Sequence, residues 1–124
     1  MTTIFTQQPW NLEFLVTEAP GYISRDVITI ASGAGVLQPG TVVGKITASG
    51  KYIPSVPAAS DGSQIAAGII GYRVDATSAD ATVTAFTRTC EVNGKHLTRD
   101  VSIDTAPEIA TQNAQLAALG ISVR

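Results

Sequence analysis

The chain has 124 residues, which suits one domain with a substantial hydrophobic core and leaves little room for a second. Hydrophobic residues make up 44% of it and charged residues only 15%, so much of its surface is predicted to meet other protein rather than water. The net charge of −2 argues against a nucleic-acid binder, which needs a basic face.

The cysteine count and the hydropathy of the chain argue against several further kinds of site and protein. Cys90 is the only cysteine, so neither an intrachain disulfide nor a thiolate zinc site is expected. Residues 1–5 contain neither a basic region nor a long apolar run, and no stretch approaches the roughly 20 apolar residues of a membrane span. We therefore expect a protein made in the cytoplasm, with no membrane partner, that is used or assembled there.

Residues 1–11 are predicted to form an N-terminal arm. Pro9 lies where a strand or helix would be interrupted, and Phe5 and Trp10 are large side chains on a segment with little else to pack against. Two interpretations are open. Trp10 could cap the domain's own core, or the arm could add as a strand to a partner's sheet, with its aromatic side chains filling pockets.

Residues 12–124 are predicted to form a single β-rich domain. Short runs of β-branched and aromatic residues, separated by turn formers, are typical of strands. Such runs occur at 12–16, 24–31, 41–46, 51–54, 65–72 and 81–89. The turn at Ser49-Gly50 predicts a hairpin over residues 41–54. The run at 65–72 is the most continuously apolar, so we expect it to be a buried strand on which the body is built.

One helix is predicted near the end of the chain. Thr105 and Glu108 have the spacing of a capping box. In this motif the side chain of each residue accepts a hydrogen bond from the backbone N–H of the other. Apolar residues at helical spacing then extend over 107–119, and Gly120 is a typical residue to end a helix. Residues 121–123 are predicted to form a last strand.

No catalytic site is recognisable. Asn93-Gly94 predicts a type I′ hairpin turn, across which His96 could face Cys90, but nothing else completes a nucleophilic site. An exposed histidine and a cysteine that packs as a small apolar residue are the simpler interpretation. We therefore expect that the protein is not an enzyme.

Metal and nucleotide sites are not predicted either. Asp75 and Asp80, and likewise Asp100 and Asp104, lack the dense spacing of a calcium loop, and the aspartates at 75–80 are expected to stabilise turns. Gly33-Ala34-Gly35 lacks the Lys-Ser/Thr ending of a phosphate-binding loop. We expect no metal and no cofactor.

Three segments, in order, carry a family resemblance. They are Leu-Gln-Pro-Gly-Thr-Val-Val-Gly-Lys-Ile at 37–46, Ala-Ala-Gly-Ile-Ile-Gly-Tyr-Arg-Val-Asp-Ala-Thr at 66–77 running into 81–86, and the helix at 107–119 followed by Ile-Ser-Val. No one motif is specific, but the ordered combination over residues 12–124 resembles the phage head decoration proteins, the family of the lambda-type capsid-stabilising protein.

The resemblance implies a structural function. Members of the family assemble into homotrimers that bind the major capsid protein on the outside of an expanded head, at three-fold and quasi-three-fold sites. There they cement neighbouring capsomers against the pressure of packaged DNA. The resemblance implies that this chain does the same, on the outer surface of a virion and after synthesis in the host cytoplasm.

The expected fold is mainly β with a small α component, an α+β chain whose barrel-like or sandwich-like body carries one C-terminal helix and an extended arm. In the family the arm becomes ordered on the capsid, which implies capsid contact by Ile4, Phe5, Pro9 and Trp10. This chain departs from the best-known member in its longer segment at 10–31, which carries clear strand signals.

Two other classes of function stay open. A β-sandwich or barrel module could bind a carbohydrate or small ligand with Trp10, Tyr22, Tyr52 and Tyr72, because aromatic rings stack on flat apolar faces. A glycan-binding screen would detect it. A small hydrolase would use an aspartate, His96 or Cys90. Full stability and full capsid binding of the H96A/C90A double variant would refute that hypothesis.

Overall fold

The computed structural model describes residues 10–124. Ten strands and one α-helix are found in that part of the chain. They are β1 Leu15–Glu18, β2 Arg25–Ile30, β3 Gly35–Leu37, β4 Val42–Lys45, β5 Tyr52–Pro54, β6 Ala66–Ile70, β7 Val74–Ala76, β8 Ala81–Phe86, β9 Cys90–Val92, α1 Ala106–Ala117 and β10 Ile121–Val123. The predicted mainly-β class with one helix is confirmed, whereas the predicted arm at 1–9 lies outside the described residues.

Five strands close into a barrel in the order β2-β5-β4-β6-β8. Neighbouring strands are antiparallel except β2 and β5, which are parallel and meet at Ile30 and Tyr52. The ladder between β2 and β8 extends from Arg25 opposite Phe86 to Ile30 opposite Ala81. Closure pairs each barrel strand on both sides, so the barrel itself has no open edge.

The run that was predicted to be the central buried strand is β6, and it is buried on both faces. Ile70 packs in the core inside the barrel with Ile30 and Val43. Ile69 faces the other way, into a second core that contains Phe86 and Leu116. Two buried faces explain why this strand is a continuous apolar run rather than an alternating one.

The second core is covered by an outer layer of one sheet and the helix. In this sheet β9 lies between β1, to which it is antiparallel, and β10, to which it is parallel. Helix α1 packs against β10 and β6 and buries Gln112 and Leu116. Gly120 ends the helical segment with φ +83°, which favours glycine, and the predicted last strand follows as β10. No helix in the described part of the chain is long and apolar enough to cross a bilayer.

Two local predictions at the ends of strands were wrong. Residues 11–14 form a turn, with Leu12 at φ +60°, and the first strand begins only at Leu15. Asn93-Gly94 does not form a type I′ hairpin, because Asn93 has φ −88° and its side chain instead accepts a hydrogen bond from the N–H of Lys95. This bond caps a short 3₁₀ turn, Gly94–His96, and β9 finds its partners elsewhere in the chain.

The helix start and two short strands also differ from expectation. Thr105 is the N-cap, but its side chain makes no capping bond, and Glu108 Oε2 accepts from the N–H of Asp104 at 3.2 Å. The glycine-rich break at 33–35 leads directly into β3, and Asp75 lies within β7 rather than in a loop. β3 and β7 pair with each other as a separate antiparallel ribbon. Three residues per strand are too few to give a periodicity signal.

Candidate functional site

The root of the predicted arm is tied to the body beside the end of β6. Leu12 donates its N–H to the carbonyl of Gly71 at 2.9 Å, and Asn11 Oδ1 accepts from the N–H of Arg73 at 3.3 Å. Trp10 itself is 67% exposed. The interpretation in which Trp10 caps the domain's own core is therefore wrong.

Of the predicted capsid-contact residues, only Trp10 can be placed. Ile4, Phe5 and Pro9 lie outside the described residues. The exposed indole of Trp10 stands at the point where the described body begins, next to the predicted arm. A large aromatic side chain with most of its surface in water is a suitable anchor for a protein partner.

Further apolar side chains are exposed over the described surface. They are Val16, Ile23, Val27, Val36, Ile65 and Val101. The most exposed are Val101, at 92%, and Val27, at 74%, on the outer side of β2. Sequence reasoning missed them, because an apolar residue type gives by itself no sign that its side chain faces water. Single exposed apolar residues are ordinary, so none of them alone defines a site.

The two candidate catalytic residues lie in different surroundings. Cys90 lies in β9, 6% exposed, paired with Glu18 on one side and Ile121 on the other. Burial, with a smaller contribution from the Glu18 charge, raises the pKa of its thiol to about 11. His96 Nδ1 instead lies 3.8 Å from Glu13 Oε1 at the surface. A protonated, buried thiol with no histidine paired to its strand is unsuited to nucleophilic attack.

Two of the four candidate metal carboxylates, Asp75 and Asp100, stabilise local turns. Asp75 accepts from both the N–H and the hydroxyl of Thr77, and Asp100 does the same with Ser102. The turn-forming interpretation is confirmed for Asp75. Asp80 bonds the N–H of Ser32 and forms an ion pair with a lysine. Within residues 10–124, no group of three or more histidine, cysteine or acidic side chains could hold a metal ion.

The aromatic residues of the alternative carbohydrate hypothesis do not share one environment. Tyr52 and Tyr72 are half-buried and pack against the core inside the barrel, whereas Trp10 is exposed. A sugar platform needs aromatic faces presented to solvent. The arrangement of these three side chains gives that hypothesis no support.

One ion pair joins the outer layer to the barrel. Arg25 on β2 donates to Glu18 on β1 through two nitrogens, at 2.8 and 2.7 Å. Its guanidinium also lies 5.2 Å from the centroid of the Phe86 ring. The hydrogen bond from Arg25 holds the pKa of the Glu18 carboxyl below its usual range. A bidentate pair of this kind fixes geometry as well as adding energy.

We expect the protein to lose stability in acid. Hydrogen bonds and ion pairs of the folded state lower the pKa of several carboxyls, namely Glu18, Asp61, Asp75, Asp80, Glu91 and Asp100. A lowered folded-state pKa adds stability above the unfolded value, about 4, and that stability is lost as the pH falls through the folded value.

Urea unfolding at pH 6 and pH 3 measures this loss, and we expect a lower midpoint at pH 3. In E18Q the difference between the two midpoints should shrink, because the paired carboxyl is gone. Equal midpoints at the two pH values in the unaltered protein would contradict the assignment.

A comparison with protein families identifies the family of this chain. The family model described as bacteriophage lambda head decoration protein D matches residues 4–121. This chain belongs to that family. A search among curated proteins found no match to the chain. The resemblance inferred from three sequence segments is thereby confirmed, and the family match also includes Ile4, Phe5, Pro9 and Trp10.

As a member of the lambda head decoration protein D family, the chain is a structural protein associated with the phage capsid. The segments that carried the resemblance form connected parts of the fold. Residues 37–46 include β4, residues 66–77 include β6 and β7, and residues 107–119 include all of α1 except its first residue. They supply two strands of the barrel, β4 and β6, and the helix that covers the second core.

Proposed function

We propose that this protein is a capsid-cementing protein that binds as a homotrimer to the outside of an expanded phage head. Its partner is the major capsid protein at three-fold and quasi-three-fold sites, where it stabilises the shell against the pressure of packaged DNA. It is made in the host cytoplasm and ends on the outer virion surface. The family match over residues 4–121 is the observation that carries this proposal.

We further propose that residues 1–11 are the attachment arm of a single domain at 12–124. Ile4, Phe5, Pro9 and Trp10 make the capsid contact. Support comes from the exposure of Trp10 and from the hydrogen bonds that fix the backbone directly after it. Three arms on one trimer bind through effective concentration, so each contact can be weak.

Binding to heads tests the proposal. Purified protein is mixed with expanded heads of the same phage that lack their decoration protein, and bound protein is measured by cosedimentation and located by electron microscopy. We expect saturable binding in copy numbers divisible by three, at three-fold positions on the outer surface. Light scattering should give the mass of a trimer. A monomer at micromolar concentration, or heads that stay bare, would refute the proposal.

A further inference from the structure

A pocket of about 230 Å³ lies beside helix α1. Pro57 and the buried Ile103 supply its apolar surface, and Thr111 lines it from the helix. Pockets that take a whole small molecule are usually about 300–1,000 Å³. The volume therefore suits a single aliphatic side chain better than a free ligand.

Glutamines form the polar part of the lining, and their orientations are fixed. Gln64 Oε1 accepts from the N–H of Gly62 at 2.9 Å, and Gln115 Oε1 accepts from the N–H of Ala66 at 2.9 Å. Because an N–H donor requires the oxygen, these bonds determine which end of each amide is which. The –NH₂ groups are left without a hydrogen-bond partner in the described part of the chain.

Gln112 is the most buried of the lining glutamines, and its orientation is fixed as well. It is only 3% exposed, and its Oε1 accepts from Arg99 Nη1 at 2.7 Å. Arg99 is held in turn by Asn113 Oδ1 at 2.7 Å, and burial lowers the pKa of its guanidinium. Among residues 10–124 nothing accepts from the –NH₂ of Gln112, and this nitrogen stays accessible from the pocket, so it is free to donate to an oxygen of a bound segment.

The rim of the pocket is negatively charged. Glu108 lines it, and Asp104 is joined to Glu108 by a backbone hydrogen bond. Both side chains are exposed, and neither forms an ion pair within the described residues. A lysine or arginine of a partner would complement this charge.

We propose that this pocket receives an extended segment of the capsid shell. An aliphatic side chain of that segment fills the space over Pro57 and Ile103. Its backbone carbonyls accept from the amide groups of the glutamines, and a neighbouring lysine or arginine pairs with Glu108. This inference rests on the proposed attachment to heads and adds a second contact to that of the arm.

Filling the pocket tests the inference. In T111W the indole occupies the space, while A110W places the same side chain at a neighbouring exposed helix position that does not line the pocket. We expect T111W to bind bare expanded heads at least about tenfold more weakly than the unaltered protein, and A110W to bind normally. Unchanged binding by a folded T111W would overturn the inference.

A charge variant provides a second measurement that does not depend on packing. E108Q and A110K each make the net charge more positive by one unit. We expect E108Q to weaken head binding about two- to fivefold, with a weaker salt dependence, because exposed ion pairs contribute that much. A110K should not. If E108Q and A110K behave alike, the proposed cationic partner is wrong.

Other outcomes separate the possible occupants. If T111W lowers the assembly state in light scattering, the pocket holds a second copy of this chain and the capsid-segment proposal fails. If the unaltered protein leaves heads bare, the proposed function fails and this inference with it. If the unaltered protein and T111W coat heads equally, only the inference fails.

Discussion

Replacing Gly44 by alanine should destabilise the protein by about 3 kcal/mol or more, at the upper end of what overpacking costs. A Cβ at this position would lie 2.1 Å from the carbonyl oxygen of Ser63 and 2.7 Å from its Cα. Both contacts are to backbone, so no side-chain rotation relieves them. Gly44 lies in β4, between β5 and β6 in the barrel wall, where a shift would disturb two ladders.

The segment that would have to move is itself held in place. The Ser63 carbonyl accepts from Ser55 Oγ at 2.9 Å, and the Ser63 N–H donates to Asp61 Oδ1 at 3.0 Å. Ser55 and Ser63 are both fully buried. The strain therefore has no inexpensive route of relief, and the loss should appear in full as a lower free energy of unfolding in urea.

Gly33→Ala is the matched control. Gly33 has φ +92° and open space around its Cα, so alanine there adds backbone strain of about 1–2 kcal/mol without a clash. The effect at Gly44 is the reverse case, a clash without an unfavourable φ. A smaller loss in Gly44→Ala than in Gly33→Ala would refute the expected clash with the Ser63 backbone.

Deleting residues 2–10 should abolish attachment to heads and leave the rest of the protein intact. Trp10 is hydrogen-bonded to Glu13, three residues on, but the described hydrogen bonds to more distant parts of the body begin at Asn11 and Leu12. Trp10 also buries little of its surface. With the aromatic anchors gone from all three arms of the proposed trimer, we expect binding to weaken more than about 100-fold. Cosedimentation with heads measures this, and light scattering and thermal unfolding check that assembly and folding are unchanged.

Single substitutions refine the deletion. Phe5→Ala and Trp10→Ala should each weaken binding by about 30-fold, the effect of a hot-spot aromatic, whereas Gln8→Ala should change it little. Full occupancy of heads by the truncated protein would refute the role of the arm. Loss of the trimer on truncation would assign these residues to self-association instead.

Much of the barrel could be predicted from the sequence, because its strands carry strong local signals. The β-branched run at 27–30 and the hairpin at 41–54 depend on residues that are near one another in the chain. β9 and β10 illustrate the limit. Cys90 pairs with Ile121 across the whole helix, and no local pattern reports such a pairing.

The errors arose where one local signal has two structural outcomes. Asn-Gly is typical of a hairpin turn, but the Asn93 side chain can also cap a 3₁₀ turn, and tertiary pairing of β9 decided between them. Gly44 was correctly placed within the strand at 41–46, but the strand pattern does not show that its lack of a side chain is required by Ser63, nineteen positions later. The pocket beside α1 could not be predicted, because Pro57, Ile103 and Gln112 come from separate segments.

Closure of the barrel limits strand pairing between neighbouring copies of the protein on a capsid. Many copies held side by side at high local concentration would favour strand-to-strand polymerisation if long sheet edges were open. Here the longest strands, β2 and β8, are sealed within the closed barrel. The strands at the edges of the other described sheets have only three or four residues each. Neighbouring copies can therefore pack closely on a capsid without forming fibres through edge-to-edge strand pairing.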